Sequence, residues 1–117
     1  MNTKKLNSQA IGKYIRVSTH KSRRVLKHIQ GKNYNDARLM LEFMPYRVCK
    51  IIIKILESAF HNILKQGNDK INKKELIIKE AFANKGPILK RFQPRAQGRA
   101  FPIQKPTCHI TIKLETT

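Results

Sequence analysis

The chain has 117 residues, a length that fits a single domain. It carries 25 Lys and Arg against 7 Asp and Glu, which gives a formal net charge of +18. Self-repulsion at this level is costly unless a polyanion lies against the protein, which disfavours a freely diffusing metabolic enzyme. A hydrophobic fraction of 40% is enough for a small core, so the chain is not a disordered basic tail. The charge favours a nucleic-acid partner over an anionic membrane surface.

The residues that could carry chemistry are few and scattered. Cys49 and Cys108 are too few for a disulfide framework or a four-thiolate zinc site, and we expect both to be reduced, with Cys49 buried in a helix. Cys108 and His109 are adjacent in a predicted strand and should point to opposite faces. No membrane span or secretory signal is predicted. The sequence therefore predicts no catalytic residue, metal, cofactor or small-molecule substrate.

The N-terminal region predicts a strand followed by a helix. Residues 1–32 hold nine Lys and Arg and no carboxylate. Apolar residues alternate over 11–17, which is typical of a half-buried strand. Ser18 or Thr19 can then cap a helix that Gly31 ends. Its outer face is basic and would face solvent or a phosphate backbone.

Two more helices are predicted after Gly31. Asn35 is the predicted N-cap of a short helix that ends at Pro45, and Pro45 fits the first turn of a third helix. The third helix has the strongest pattern and is expected to form the core, with Gly67 as its end. The apolar residues of the short helix are Leu39, Leu41, Phe43 and Met44. Those of the third are Val48, Ile51, Ile52, Ile55, Leu56, Ala59, Phe60, Ile63 and Leu64.

Two further strands complete the predicted body. Apolar residues over 76–82 indicate one strand, and a clear alternation over 108–114 indicates the other. The predicted fold class is α+β. We expect three helices packed on a small three-stranded antiparallel sheet, with one sheet face buried.

Residues 85–105 do not fit a compact domain. They hold six Lys and Arg, no carboxylate, three prolines and two glycines. As a hairpin, each limb of about ten residues would span roughly 33 Å, against a radius of gyration of about 13 Å for a compact domain. We therefore predict a projecting β-hairpin arm. Arg91, Arg95 and Arg99, spaced by four and close to Phe92 and Phe101, favour RNA over the alternative of a solvated basic loop.

The C-terminal third carries a specific motif. Residues 86–100 read GPILKRFQPRAQGRA and are followed by HITI at 109–112. This stretch closely resembles the signature of the universal L22 family of large-subunit ribosomal proteins. IRVS at 15–18, LEFMPYR at 41–47 and Ser-Ala at 58–59 also match, in family order. The segment around 43–47 resembles plastid members.

The resemblance implies a structural component of the large ribosomal subunit that binds its rRNA and supports subunit assembly. It implies a single domain over residues 1–117 whose hairpin tip lies at the nascent-peptide exit tunnel. The implied partners are rRNA, neighbouring ribosomal proteins and the nascent polypeptide, in the plastid stroma or, as the alternative, the bacterial cytoplasm. The implied RNA-binding residues are Arg16, Lys21, Arg23, Arg24, Lys27, Lys85, Lys90, Arg91, Arg95, Arg99 and Lys105. The implied tip residues are Arg91, Phe92, Gln93, Pro94, Arg95, Ala96 and Gln97.

Two other functions stay open from the residues alone. A non-ribosomal basic protein, such as an RNA chaperone or a DNA-compacting protein, would carry the same charge. It would bind duplex DNA about as well as folded rRNA. An enzyme acting on RNA would need an acidic or histidine cluster that forms only in the fold.

Overall fold

The computed structural model describes residues 6–66, 72–94 and 100–116, with side chains described for all of these except 89–94 and 100–104. Among the described residues, three helices pack on a three-stranded antiparallel sheet, and a separate two-stranded sheet forms the arm. The predicted α+β class is confirmed. The elements are β1 (Asn7–Ile15), α1 (Thr19–Ile29), α2 (Tyr34–Phe43), α3 (Val48–Gln66), a 3₁₀ turn (Lys73–Glu75), β2 (Leu76–Lys85), β3 (Leu89–Pro94), β4 (Ala100–Lys105) and β5 (Cys108–Thr116).

The three-stranded sheet has the order β1-β5-β2, with β5 in the centre. Ala10, Ile112 and Ala81 are paired across the three strands and all are buried, so this face meets the helices. Successive strand residues point to opposite faces, and the next row holds exposed Ile11 and half-buried Phe82 on either side of Thr111, which is buried in the central strand. The sheet is therefore covered by helices on one face, as the alternation over 108–114 predicts.

Strand β1 runs over Asn7–Ile15 rather than the predicted 11–17. At its C-terminal end the N–H of Val17 donates to the carbonyl of Ile15 at 2.9 Å, a tight turn that ends the strand. At its start Ser8 is buried, and its hydroxyl donates to the Ala59 carbonyl at 2.7 Å. The early residues pair in the sheet although they lack large apolar side chains.

Helix α1 follows the prediction closely. Ser18, one of the two predicted caps, is the N-cap, and the helix ends at Ile29. Gly31 then adopts a φ of +76°, and its N–H donates to the Ile78 carbonyl at 2.8 Å. This left-handed conformation favours glycine and lets the chain turn from the helix towards β2.

The predicted cap of α2 is wrong by two residues. Asn33 is the N-cap, and its side chain accepts a hydrogen bond from the N–H of Asn35 at 3.0 Å. The predicted apolar side is confirmed for Leu41 and Met44, which pack in or against the core, and wrong for Leu39 and Phe43, which are 54% and 80% exposed. The buried residues follow the helical period instead and are Tyr34, Ala37 and Leu41.

Helix α3 starts at Val48, so the prediction that Pro45 lies in its first turn is wrong. The chain makes a turn there, in which the Cys49 N–H donates to the Tyr46 carbonyl at 3.1 Å. The apolar stripe does form the core, and the prediction of Cys49 as a buried, free thiol is confirmed. The predicted end at Gly67 lies outside the described residues. The buried residues of α3 are Val48, Cys49, Ile52, Ile55, Leu56, Ala59 and Ile63.

Strands β2 and β5 run three and two residues beyond their predicted ends, at Lys85 and Thr116. They are antiparallel neighbours, and the arm is inserted between them as the pair β3 and β4. The molecule is elongated, with a Cα radius of gyration of 17.8 Å and extents of 74 × 25 × 18 Å. These dimensions fit the predicted projection of the hairpin. Within the described part of the chain, no helix is both long and apolar enough to span a membrane.

Candidate nucleic-acid interface

A cleft with a volume of about 850 Å³ opens between the start of α1, the start of α3 and the link from β4 to β5. No carboxylate lines it. Its cations, which we call the cleft cations, are Arg16, Lys21, Arg24, Arg47 and Lys50. All five are exposed, and none forms an ion pair with another described residue. The other lining residues are Val17, Ser18, Pro45, Tyr46, Val48, Ile51 and Pro106.

The helices hold the cleft cations in place. Lys21 and Arg24 are three residues apart, so they share the outer side of α1, while Val25 and Leu26 are buried beneath. Arg47 directly precedes α3 and Lys50 lies in its first turn, which buried Val48 and Cys49 anchor to the core. The positions of the cleft cations thus follow from two amphipathic helices whose N-terminal ends both line the cleft.

The helix starts add to the positive potential. Neither α1 nor α3 has an acidic residue in its first turn. The Ser18 side chain makes no capping hydrogen bond, so it does not satisfy the free N–H groups at the start of α1. Backbone N–H groups at a helix start carry partial positive charge and attract anions. Together with the cleft cations they suit phosphate groups.

The structure brings three of the predicted RNA-binding residues, Arg16, Lys21 and Arg24, into this cleft. Arg23 lies elsewhere: its Nε donates to the Ala83 carbonyl at 3.1 Å and ties α1 to β2. Lys27 is exposed one turn further along α1 and does not line the cleft. The predicted basic face of α1 is therefore divided between the cleft, a structural contact and the open surface.

The predicted arm residues are placed only in part. Lys85 is exposed at the end of β2, and Lys105 is half-buried where β4 pairs with Leu89. The backbone of Lys90, Arg91, Phe92, Gln93 and Pro94 lies in β3. The remaining predicted residues Arg95, Ala96, Gln97 and Arg99 lie outside the described residues, so the shared side expected for the three spaced arginines stays a prediction.

Sequence reasoning did not assign Tyr46, Arg47 and Lys50 to the site. Tyr46 and Arg47 belong to the family motif at 41–47, and Lys50 lies among the apolar residues of the third predicted helix. Residues from position 16 to position 106 meet in the cleft, so no local pattern could unite them. The feature of the sequence that could have indicated this site is an aromatic residue followed by a cationic residue directly after Pro45, where the short predicted helix ends.

The root of the arm adjoins the cleft at Pro106. There the Gly86 N–H donates to the Thr107 carbonyl at 2.9 Å, and the Thr107 hydroxyl donates to the carbonyl of Pro87. A Cβ on Gly86 would lie 2.6 Å from Thr107 Oγ1, so this position needs glycine for close approach. The root thus fixes both limbs of the hairpin directly beside the cleft.

The arm is offset from the body by one residue. Three residues lie between Lys85 and Leu89 on one limb, whereas two lie between their partners Lys105 and Cys108 on the other. An extra residue on one strand of an antiparallel pair bends it and increases its twist. The one-residue offset therefore sets the direction in which the arm leaves the sheet.

The cysteines and histidines of the body do not form a reactive site. Cys108 is buried, 3.7 Å from Ser22 Oγ, while His109 contacts Tyr14 on the opposite sheet face, as predicted. Burial raises the pKa of the Cys49 thiol, which keeps it protonated. Among the described residues there is also no group of three side chains that could hold a metal ion.

The fold and the cleft define a basic α+β protein built to dock on a polyanion. A family model described as "Ribosomal protein L22p/L17e" matches residues 10–115. The "Large ribosomal subunit protein uL22c" of Gracilaria tenuistipitata var. liui is 67% identical over 97% of both chains. That of Pyropia yezoensis is 63% identical over 90% of this chain and 88% of its own. The "Large ribosomal subunit protein uL22" of Rippkaea orientalis is 51% identical over 89% and 85%.

This chain therefore belongs to the ribosomal protein L22p/L17e family, as the arm motif indicated. It is a structural ribosomal protein and not an enzyme.

Proposed function

We propose that this chain anchors large-subunit rRNA through two surfaces, the cleft and the hairpin arm. It is a structural component of the large ribosomal subunit in plastids, where its partners are rRNA and ribosomal proteins. The plastid assignment is supported by relatives named uL22c, which reach 67% identity against 51% for the uL22 of Rippkaea orientalis. The whole chain acts as one domain, with the arm as its extension.

The observation that carries rRNA binding is the set of five cleft cations without a carboxylate among them. Surface cations are normally interspersed with acids, and an unneutralised group is costly in a chain that already has a charge of +18. RNA phosphates neutralise such a group and release bound counterions, which drives binding. The cleft is therefore a primary docking point of the body.

The arm supplies the second surface. Lys85, Lys90 and Lys105 contact RNA along its limbs together with Arg91, Arg95 and Arg99. The tip, residues 91–97, lies at the peptide exit tunnel, close to the nascent chain. Support for this comes from the family match of the arm motif and from the 74 Å length of the molecule. In a molecule this elongated, the arm can reach beyond the body and pass between RNA helices.

The test is sedimentation of the tagged full-length protein from a native extract through a sucrose gradient. Migration with the large subunit at about 0.5 M salt is expected, because purely electrostatic binding falls steeply over that range while shape-matched docking persists. Release to the top of the gradient would contradict the proposal and favour a non-ribosomal nucleic-acid binder.

A cleft variant sharpens the test. Arg24→Gln combined with Arg47→Gln removes two cleft cations without touching the core, and we expect it to leave the subunit at lower salt than the wild type. The matched control is Lys65→Gln combined with Lys74→Gln. Both lysines are exposed, neither lines the cleft, and Lys65 lies at the opposite end of α3. If both double variants leave the large subunit at the same salt concentration, the cleft does not bind rRNA and that part of the proposal is wrong.

A further inference from the structure

The lining of the cleft is apolar beneath its cationic rim. Val17 lies just before α1, Val48 and Ile51 lie in the first turn of α3, and Pro45 and Pro106 add further apolar surface. Val48 is buried, while Val17 and Ile51 are half-buried and pack against the core. Phosphates and sugars along a duplex pair with cations, but they do not use an apolar floor. This surface therefore fits a ligand that carries both an anion and a flat apolar body.

Tyr46 places an aromatic ring in the same cleft. It is 50% exposed, so its ring is not packed in the core, and it lines the cleft together with Arg16, Arg24 and Arg47. Aromatic rings and guanidinium planes are the groups on which unstacked bases of RNA are held. The volume of about 850 Å³ is within the range of roughly 300–1,000 Å³ that pockets for single small ligands occupy.

We propose that the cleft binds an unpaired nucleotide extruded from the rRNA. Its base stacks on Tyr46 above the apolar floor, and the phosphates on either side contact Arg16, Arg24 and Arg47. The inference rests on the proposed rRNA-binding function and specifies the ligand of the same cleft. A nucleotide satisfies both parts of the surface, whereas an acidic peptide satisfies the cations and leaves the floor uncovered.

The experiment compares two RNA hairpins of equal length and equal charge, one fully paired and one with a single-nucleotide bulge. The bulge and its two flanking base pairs are randomised, so that no particular sequence is assumed. The measured quantity is the affinity of the full-length protein for each fluorescently labelled pool at physiological salt. Base–aromatic stacking is worth about 1–3 kcal/mol per base, so we expect the bulged pool to bind at least fivefold more tightly.

Tyr46→Leu and Tyr46→Phe form the matched pair of variants. Tyr46→Leu keeps an apolar side chain but removes the stacking ring, so it should bind the bulged and the paired pool with equal affinity. Tyr46→Phe should retain the preference. Since the side chain is half exposed, both variants should fold, which circular dichroism checks.

Other outcomes separate this inference from the proposed function. Equal binding of both pools by the wild type, with co-sedimentation intact, would overturn the nucleotide site and leave rRNA anchoring in place. Failure to bind either pool and to sediment with the subunit would overturn both. Displacement of the bulged pool by polyglutamate at matched charge concentration would indicate an acidic protein partner instead.

Discussion

The backbone N–H of Tyr14 donates a hydrogen bond to Nδ1 of His109, with the two nitrogens 3.0 Å apart. Their rings form an edge-to-face pair, with centroids 4.8 Å apart and an interplanar angle of 89°. Tyr14 has a φ of +54°, which is unfavourable for a bulky residue, at the bulge between Gly12 and Ile15. The imidazole therefore holds a strained bulge in place, two residues beyond Thr107 at the arm root.

His109→Ala should lower the free energy of unfolding by about 1–2 kcal/mol, because it removes one hydrogen bond and one aromatic contact. Urea unfolding of the RNA-free protein measures the change. The matched control is His20→Ala, at an exposed position in the first turn of α1, which should change stability by less than about 0.5 kcal/mol. An unchanged urea midpoint for His109→Ala would show that the bulge is stable without the imidazole.

Much of the fold could be predicted from the sequence because its helices and central strand carry strong apolar periods. The start of β1 could not, because its buried positions Ser8 and Ala10 are small. A Cβ on Gly12 would lie 2.7 Å from Ile55 Cδ1, so side chains of α3 pack closely against this strand. The start of β1 has only small buried residues, so the alternation of large apolar residues that predicts a strand is missing there.

The cleft could be predicted in part. The basic outer face of α1 predicted Lys21 and Arg24, because helical spacing and charge are local properties, whereas Arg16 was implied only by the family resemblance. The contribution of Arg47 and Lys50 depends on where α3 begins, and that depends on tertiary packing around Cys49 rather than on Pro45. Side chains separated by many residues come together only when the helices are docked.

The arm root gives a second prediction, based on two glycines with different roles. Gly86→Ala places a methyl group 2.6 Å from Thr107 Oγ1, so it should displace the hairpin limb and reduce incorporation into the large subunit. Gly31→Ala meets no atom within 4 Å but must adopt a φ of +76°, so it should cost about 1 kcal/mol of stability and leave incorporation intact. Urea unfolding and gradient sedimentation separate the two effects. If the Gly86→Ala variant enters the large subunit as the wild type does, the arm root does not need glycine at this position.

A third prediction concerns the dependence of stability on pH. Burial raises the pKa of the Cys49 thiol in the folded protein, while the unfolded thiol ionises near about 8.5. Above that pH the folded state holds a proton that the unfolded state has lost, so stability falls as pH rises. Below that pH the stabilising contribution is fully present.

The measurement is urea unfolding of the wild type and of Cys49→Ala from pH 7.5 to pH 10 under reducing conditions. The variant will be less stable overall because it loses core packing, so the slopes rather than the absolute values are compared. The wild type should lose stability more steeply. Cys108 is present in both proteins and its contribution cancels. Parallel pH profiles would contradict a buried, protonated thiol at position 49.

The arm arginines give a fourth prediction. Replacing Arg91, Arg95 and Arg99 with glutamine should leave the unfolding free energy of the body within about 0.5 kcal/mol of the wild type. The described core lies in the three helices and the three-stranded sheet. Incorporation into the large subunit should fall, because the arm loses its phosphate contacts. Normal incorporation of the folded triple variant would count heavily against the arm as an RNA anchor.

The cleft cations give a fifth prediction, in the salt dependence of RNA binding. Each cation that neutralises a phosphate contributes about 0.7–0.9 to the slope of log affinity against log salt. Arg24→Gln and Arg47→Gln should therefore each reduce that slope by about one and weaken binding to different rRNA fragments to a similar extent. Lys65→Gln, which removes an exposed charge at the far end of α3, should leave the slope unchanged. If the slopes are equal for all three variants, the RNA phosphates bind elsewhere on the protein and not at Arg24 and Arg47.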